Sequence, residues 1–436
     1  MPPPPPALTI EGALPELRRV LAAGTSAVLQ APPGAGKTTG VPPALLAAPW
    51  LEGRRIVLLE PRRLAARAAA RRMAANLGEQ VGATVGFRVR GETRVGPSTR
   101  IEVVTEGVLT RMLLSDPGLE DVGLVVFDEF HERSIHADLG LALTLHSREV
   151  LRHDLRVLVM SATLDGEAVA GLLHGAPIVT SPGHAFPIET RYLPPRADTR
   201  PAAAAAAAVR AALTGTAGDL LVFLPGAGDI RRAEELLDGV EADVLPLHGN
   251  LPPEAQDRAI RPGEGRRKVV LATSIAETSL TIEGVRIVVD TGWSRVPRYS
   301  PRTGMSRLAT VRVSLASADQ RRGRAGREGP GLCFRLWSEH QHRALLPRAT
   351  PEILEADLAP LALDLAAAGV RDPGELAWLD PPPAAALAEA RSLLGQLGGL
   401  DGQGHITPHG RAMSRLSLHP RLAHMVLKGS DLGAAG

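Results

Sequence analysis

Cysteine is nearly missing: Cys333 is the only one among 436 residues. A single thiol excludes a disulfide framework and any metal site built from several cysteines, and it fits a reducing compartment such as the cytoplasm. Lysine is almost as scarce, occurring only at 37, 268 and 428 beside abundant arginine. With the richness in Ala, Gly and Pro, that bias reads as GC-rich coding. It leaves Lys37 as a compact ammonium among guanidiniums, which points to chemistry needing a point charge. Aromatics make up 3 %, too few for stacking platforms to be the main grip on a single nucleic-acid strand. A formal charge of +2 gives no chain-wide attraction for polyanions. No apolar run reaches about 18 residues, so no membrane span is expected. The opening MPPPPPALTI lacks the basic and apolar regions of a secretory leader.

What is present alternates. AVLQA, RIVLLE, IEVVT, LVVFDE and RVLVMSAT, between Ala27 and Thr163, are short apolar or β-branched runs bounded by turn residues. Between them lie helix-like stretches such as RRLAARAAARRMAANLG, which ends on a C-cap-like Gly78. Strand alternating with helix predicts a parallel α/β sheet. YLPPRADTRPAAAAAAA then reads as a linker running into a helix. A second block repeats the layout with LLVFLP, DVLPLHG, KVVLAT, RIVVDTG and GLCFRLW. From Pro351 the texture is helical, and HITPHGRAMSRL has room for a small wing. The expected organisation is two α/β domains, 1–195 and 196–348, then a small domain over 349–415 and the start of another helical one over 416–436.

APPGAGKTT, residues 31 to 39, lies between a strand and a probable helix and meets the P-loop pattern except for Ala31 at its first glycine. Gly34 and Gly36 let backbone N–H groups face phosphate oxygens, with Ala35 and Thr39 completing the cradle. Lys37 supplies charge, and the Thr38 hydroxyl is suited to Mg²⁺. VVFDEFHERS, residues 125 to 134, is an apolar run that stops at two carboxylates. A zinc reading fails on spacing: His131 and His136 are five apart, so on a helix they diverge by about 140°. A Walker-B reading fits better, with Thr38, Asp128 and Glu129 around Mg²⁺ and Glu129 orienting or deprotonating the attacking water. QRRGRAGRE, residues 320 to 328, spaces Arg324 and Arg327 three apart. Alone it is equally a solvated basic run; behind a P-loop and an acidic pair in another block, it reads as arginine fingers for the γ-phosphate.

The ordered set APPGAGKTT, EPRRLAAR, TEGVLTR, DEFHERS, SAT, FLPGAGDI, ATSIAETSLTI and QRRGRAGR resembles the superfamily-two RNA helicases of the DEAH type. Phe130 stands where that family usually has Ala, and Asp229 where its fourth motif usually has Glu; the DEFHER variant looks most like the bacterial HrpB-type members. The resemblance implies two tandem RecA-like domains with ATP and Mg²⁺ in the cleft between them, then a winged helix and a ratchet-like helical domain. The chain would end just inside the ratchet, as a fragment would. It also implies that His131 links the ATP site to the second domain, that Gln320 orients water, and that Ser161 and Thr163 couple hydrolysis to unwinding. Arg72 and Trp293 would sandwich the base. Arg62, Arg63, Thr105, Glu106, Thr273 and Thr278 would contact the nucleic-acid backbone, gripping phosphate and sugar rather than reading bases.

The function this implies is an ATP hydrolase that moves along and unwinds RNA, with DNA left open as a substrate. A nucleic-acid-stimulated ATPase that remodels ribonucleoprotein without processive unwinding shares the same motifs. A nucleotide-switched scaffold would not need Glu129 or paired arginines.

Overall fold

The computed structural model describes residues 9–162, 166–183, 186–263, 265–278, 280–300 and 303–433. The first sheet contains β1 (Ser26–Gln30), β2 (Arg55–Leu59), β3 (Val85–Val89), β4 (Glu92–Arg94), β5 (Ile101–Val104), β6 (Val122–Phe127), β7 (Arg156–Ser161) and β8 (Ile178–Thr180). Their order is β4-β3-β5-β2-β6-β7-β1-β8, and every pair is parallel except β3 with β4. The central strands are apolar without alternation because both faces are covered. Val57, Leu58, Val125, Val126, Leu158 and Val159 are all buried.

The second sheet uses β9 (Ile188–Tyr192), β10 (Asp219–Phe223), β11 (Asp243–Leu247), β12 (Lys268–Ala272), β13 (Val285–Asp290) and β16 (Gly331–Arg335) in the order β11-β12-β10-β13-β16-β9, all parallel. β9 corrects the expected division at residue 195. It lies before that point yet pairs with β16, so the second sheet begins by Ile188. Between β13 and β16 a long antiparallel hairpin, β14 (Trp293–Ser300) with β15 (Met305–Arg312), stands apart from both sheets.

The Arg63–Asn76 helix follows β2 and stops at Gly78, whose φ of 71° suits a glycine C-cap. Its small residues Ala66, Ala69 and Ala70 let it lie close on the first sheet. On its other side Leu64 and Ala65 pack with Leu221, Phe223 and Val270 of the second. One helix thus belongs to both walls of the cleft.

The C-terminal helices Ala359–Ala367, Ala384–Gln396, Pro408–Arg415 and Pro420–Asp431 share one apolar core with the first unit, where Leu361, Leu363, Leu394 and Met413 meet Leu109, Leu139 and Leu143. Each such leucine contributes roughly 1.5–3 kcal/mol of burial, enough to hold this unit against the first sheet. The expected wing is reduced to one antiparallel bridge, Leu400 with Ile406, because Pro408 starts a helix two residues later. Among the described residues, no helix is long and apolar enough to cross a membrane.

Candidate active site

The loop after β1 turns on Gly34 and Gly36, both at φ 87°, and Gly36 caps the Lys37–Leu45 helix. Left-handed backbone is cheap only for glycine, so the glycines are what allow N–H groups to curl around an anion at a helix N-terminus. Ala35, between the two glycines, is buried, and Thr39 lies in the first helical turn. Lys37 is buried, with Nζ 3.0 Å from Glu129 Oε1. Burial would lower its pKa, but Glu129 and Asp128 outweigh this and hold it charged above the usual lysine range. The Thr38 hydroxyl donates to Asp128 Oδ2. The loop and the acidic pair therefore face each other across the ends of β1 and β6.

Asp128 and Glu129 share the end of β6 but not an environment. Burial pushes the Asp128 carboxyl up, and the Glu129 charge adds to this. Burial would also raise Glu129, but Lys37 and then His131 pull it below the ordinary range. Glu129 sits at φ 49°, a left-handed conformation that costs a non-glycine residue on the order of 1–3 kcal/mol. In that conformation its carboxylate meets Lys37 Nζ at 3.0 Å.

The second unit closes over this pair. The Gln320 amide donates to His131 Nε2 at 2.6 Å, and burial lowers the His131 pKa, consistent with a neutral acceptor ring. His131 Nδ1 stands 3.4 Å from Glu129 Oε2 and 3.5 Å from the Ala162 backbone nitrogen. Ser161 ends β7 beside β1, and its carbonyl accepts from Ala31 N at 3.1 Å. Thr163 lies outside the described residues.

Arg324 opens a short helical turn after the Leu315–Gly323 helix, and Arg327 follows it. Arg324 donates to the carbonyls of Glu277 and Leu280, and Arg327 to Leu280 and Thr281. Arg324 Nη2 and Arg327 Nε are buried without a hydrogen-bond partner among the described residues. Burial and then the neighbouring Arg327 depress the Arg324 pKa; burial depresses Arg327 to about 10. A Cβ placed on Gly34 would stand 3.5 Å from Arg327 Nε, so this arginine reaches across the cleft to the phosphate loop. Two desolvated guanidiniums with free N–H groups, facing a glycine cradle and a lysine, form a site suited to a polyanion.

Arg62, Thr278 and Glu106, expected at the nucleic-acid backbone, each have a partner within the protein. Arg62 is engaged within the protein: it pairs with Glu132 at 3.1 Å and donates to the Ser274 carbonyl of the second unit. Thr278, also expected at nucleic acid, donates to the same Glu132. Glu106 accepts from Ser134, and burial pushes it up to about 8. Thr105 and Thr273 are the N-cap residues of short helical segments, and Arg63 is exposed at the start of its helix. Trp293 lies under the Arg312 guanidinium at 4.1 Å, while Arg72 stands exposed on the Arg63–Asn76 helix. Neither joins the network around Lys37.

Two residues went unnoticed in the sequence. Glu132 joins Arg62 to Thr278 and so ties the two units together. Its signal was an unexplained carboxylate in HERS. Arg321 is fully buried, bonded to Glu277 and Asp290 and packed over Phe223 at 4.9 Å; it braces the turn that presents Arg324. A buried arginine needs such partners, and Asp290 at the end of β13 was the available one.

Comparison with known proteins agrees with this geometry. Residues 13–171 match the model for the DEAD/DEAH box helicase, and 205–329 match the helicase conserved C-terminal domain. The chain is 50 % identical over 428 residues to the ATP-dependent RNA helicase HrpB of Escherichia coli strain K12, covering 97 % of this chain and 53 % of that protein. The chain belongs to the DEAD/DEAH box helicase family. Two crystal structures of the Escherichia coli protein, described as a DEAH/RHA helicase and as a DExH-box NTPase, superpose with TM-scores of 0.91 and 0.86 at 49 % and 48 % identity. They cover 97 % and 98 % of this chain, and the chain covers 54 % and 53 % of theirs. This helicase-family chain thus spans about half the length of the relatives it matches. Its two sheets are RecA-like domains, as the helicase folds they match require.

Proposed function

We propose that this chain binds and hydrolyses ATP at the cleft between its two RecA-like domains and uses the cycle to move on or remodel RNA in the cytoplasm. The observation that carries this reading is the facing of unpartnered Arg324 and Arg327 N–H groups in one unit toward the Gly34 loop and the Lys37–Glu129 pair in the other.

In this reading the Gly34–Thr39 loop and Lys37 hold the β- and γ-phosphates, and Arg324 with Arg327 receives the charge that grows on the γ-phosphate oxygens. Thr38 and Asp128 are the groups that would hold Mg²⁺, with Glu129 beside them; the ion would neutralise phosphate charge. Glu129 keeps its proton acceptor free at neutral pH because Lys37 holds it ionised. It accepts a proton from water aligned by the His131–Gln320 pair, a pair that exists only when the second unit is in place. Arg63, Thr273 and the donors on Arg62 and Thr278 would meet the nucleic-acid backbone. Arg62 and Thr278 must then leave Glu132. Arg72 and Trp293 would border the base.

Steady-state ATP hydrolysis by this chain, with and without single-stranded RNA, tests the reading. Hydrolysis that rises with RNA supports it. A chain that binds ATP without turning it over, RNA present or not, points instead to a nucleotide-switched scaffold. A duplex-separation assay then divides unwinding from remodelling.

A further inference from the structure

The turn after the two carboxylates touches more of the molecule than a nucleotide site requires. Glu129 and Arg133 both lie in left-handed backbone, at φ 49° and 51°, and bracket the short Phe130–Glu132 turn. Two such non-glycine residues persist only where the surroundings over-determine them. At the near end Lys37 and His131 do this. At the far end Arg133 does. Its guanidinium forks onto Asp138 at 3.1 Å and 3.1 Å and reaches Asp380 at 2.7 Å. Its carbonyl accepts from Glu352 N at 3.1 Å. The Glu352 carboxylate in turn accepts from Ile135 N at 3.0 Å, at the start of the next helix. Asp380 and Glu352 both belong to the C-terminal helical unit.

Given the ATP-hydrolysing role proposed above, on which this rests, we propose that Arg133 is a positioning residue that ties the C-terminal helical unit, through Asp380, to the placement of Glu129 and His131. The phosphate loop leaves β1 and takes its shape from its own glycine turns at Gly34 and Gly36, touching this turn only through Lys37. Glu129 and His131 ride on it. The helical unit therefore acts on turnover rather than on nucleotide binding. Arginine suits the position because two carboxylates on different sides need a forked donor, whereas a lysine offers one point charge.

The test is steady-state ATP hydrolysis by the whole chain, with melting temperature measured alongside, for Arg133→Ala, Arg133→Lys and Asp380→Asn. Asp380 is 36 % exposed in its side chain, so its replacement leaves the fold in place. Arg133→Ala should lower kcat about 10-fold with the KM for ATP changed by less than about twofold. Arg133→Lys should recover part of this. Asp380→Asn should lower kcat about threefold at unchanged melting temperature, and add little when combined with Arg133→Ala. Parent kcat in both Asp380→Asn and Arg133→Lys overturns the role, as does a loss of kcat that only follows melting temperature. A parent that does not hydrolyse ATP overturns the underlying hydrolase reading, and this role with it.

Discussion

Glu129 stands where three influences meet: burial, which favours its protonated form, and Lys37 and His131, which favour its carboxylate. The Lys37 charge wins, so the group is ready to accept a proton at neutral pH. Its left-handed backbone is strain retained at a functional position. Glu129→Gln keeps the shape and removes the base. Nucleotide should still bind while turnover falls about 10²-fold or more. A Gln variant that hydrolyses ATP at the parent rate contradicts the role. At this scale the sequence was most informative where chemistry demands one residue type at one spacing, as in Gly34–Thr38 and Asp128-Glu129. It was least informative where a residue is defined by its partner. Glu132 and Arg321 acquire meaning only when Thr278 and Asp290 are brought to them by the fold.

The P-loop and the helical unit each make a testable element. Gly36 holds φ 87° at the cap of the Lys37–Leu45 helix, where an L-side chain costs about 1–2 kcal/mol. Gly36→Ala should weaken ATP binding by about 10-fold in calorimetry, since each 1.4 kcal/mol is tenfold; an unchanged Kd contradicts the cradle. Asp364 lines a cavity of 190 Å³ between the Ile135–Val150 helix, the β14–β15 hairpin and the helical unit. Burial pushes its carboxyl up to about 7. The unfolded value is near 3.9, so the folded state keeps a proton that the unfolded chain releases. This contribution is complete below about pH 4 and is lost as pH rises through about 7. Asp364→Asn should therefore gain stability relative to the parent between pH 5 and pH 8, by about 1–3 kcal/mol. A melting-temperature difference that does not change with pH contradicts this. The strands legible in the sequence were mostly the apolar ones that both faces bury, β1, β2, β5, β6, β7, β10, β12, β13 and β16, together with the half-buried edge strand β11, which carries the apolar run DVLPL. The β14–β15 hairpin was not legible. Its Arg298, Met305, Arg307 and Leu308 mix charge and apolar groups on an exposed ribbon, so no burial pattern marks it.

Across the whole molecule the two units meet through the apolar packing of Leu64 and Ala65 on the second sheet and through specific polar contacts, among them Gln320 on His131, Thr278 and Ser274 on the Glu132–Arg62 pair, Arg67 on Gln256, Arg71 on Asp257 at 3.0 Å, and Arg327 over Gly34. Motif order alone implied a cleft. It did not reveal that Arg62 and Thr278 are held by Glu132, because that pairing joins residues 146 positions apart. Nor did it show the helical unit sharing the first unit's core, which depends on a matching apolar surface rather than a motif. The central claim is that the hydrolytic site is composite, completed by arginines from the second unit. The kcat of Arg327→Ala in the whole chain tests it most directly. The composite site predicts a fall of about 10³-fold with a smaller change in nucleotide affinity. A variant that keeps the parent kcat contradicts it.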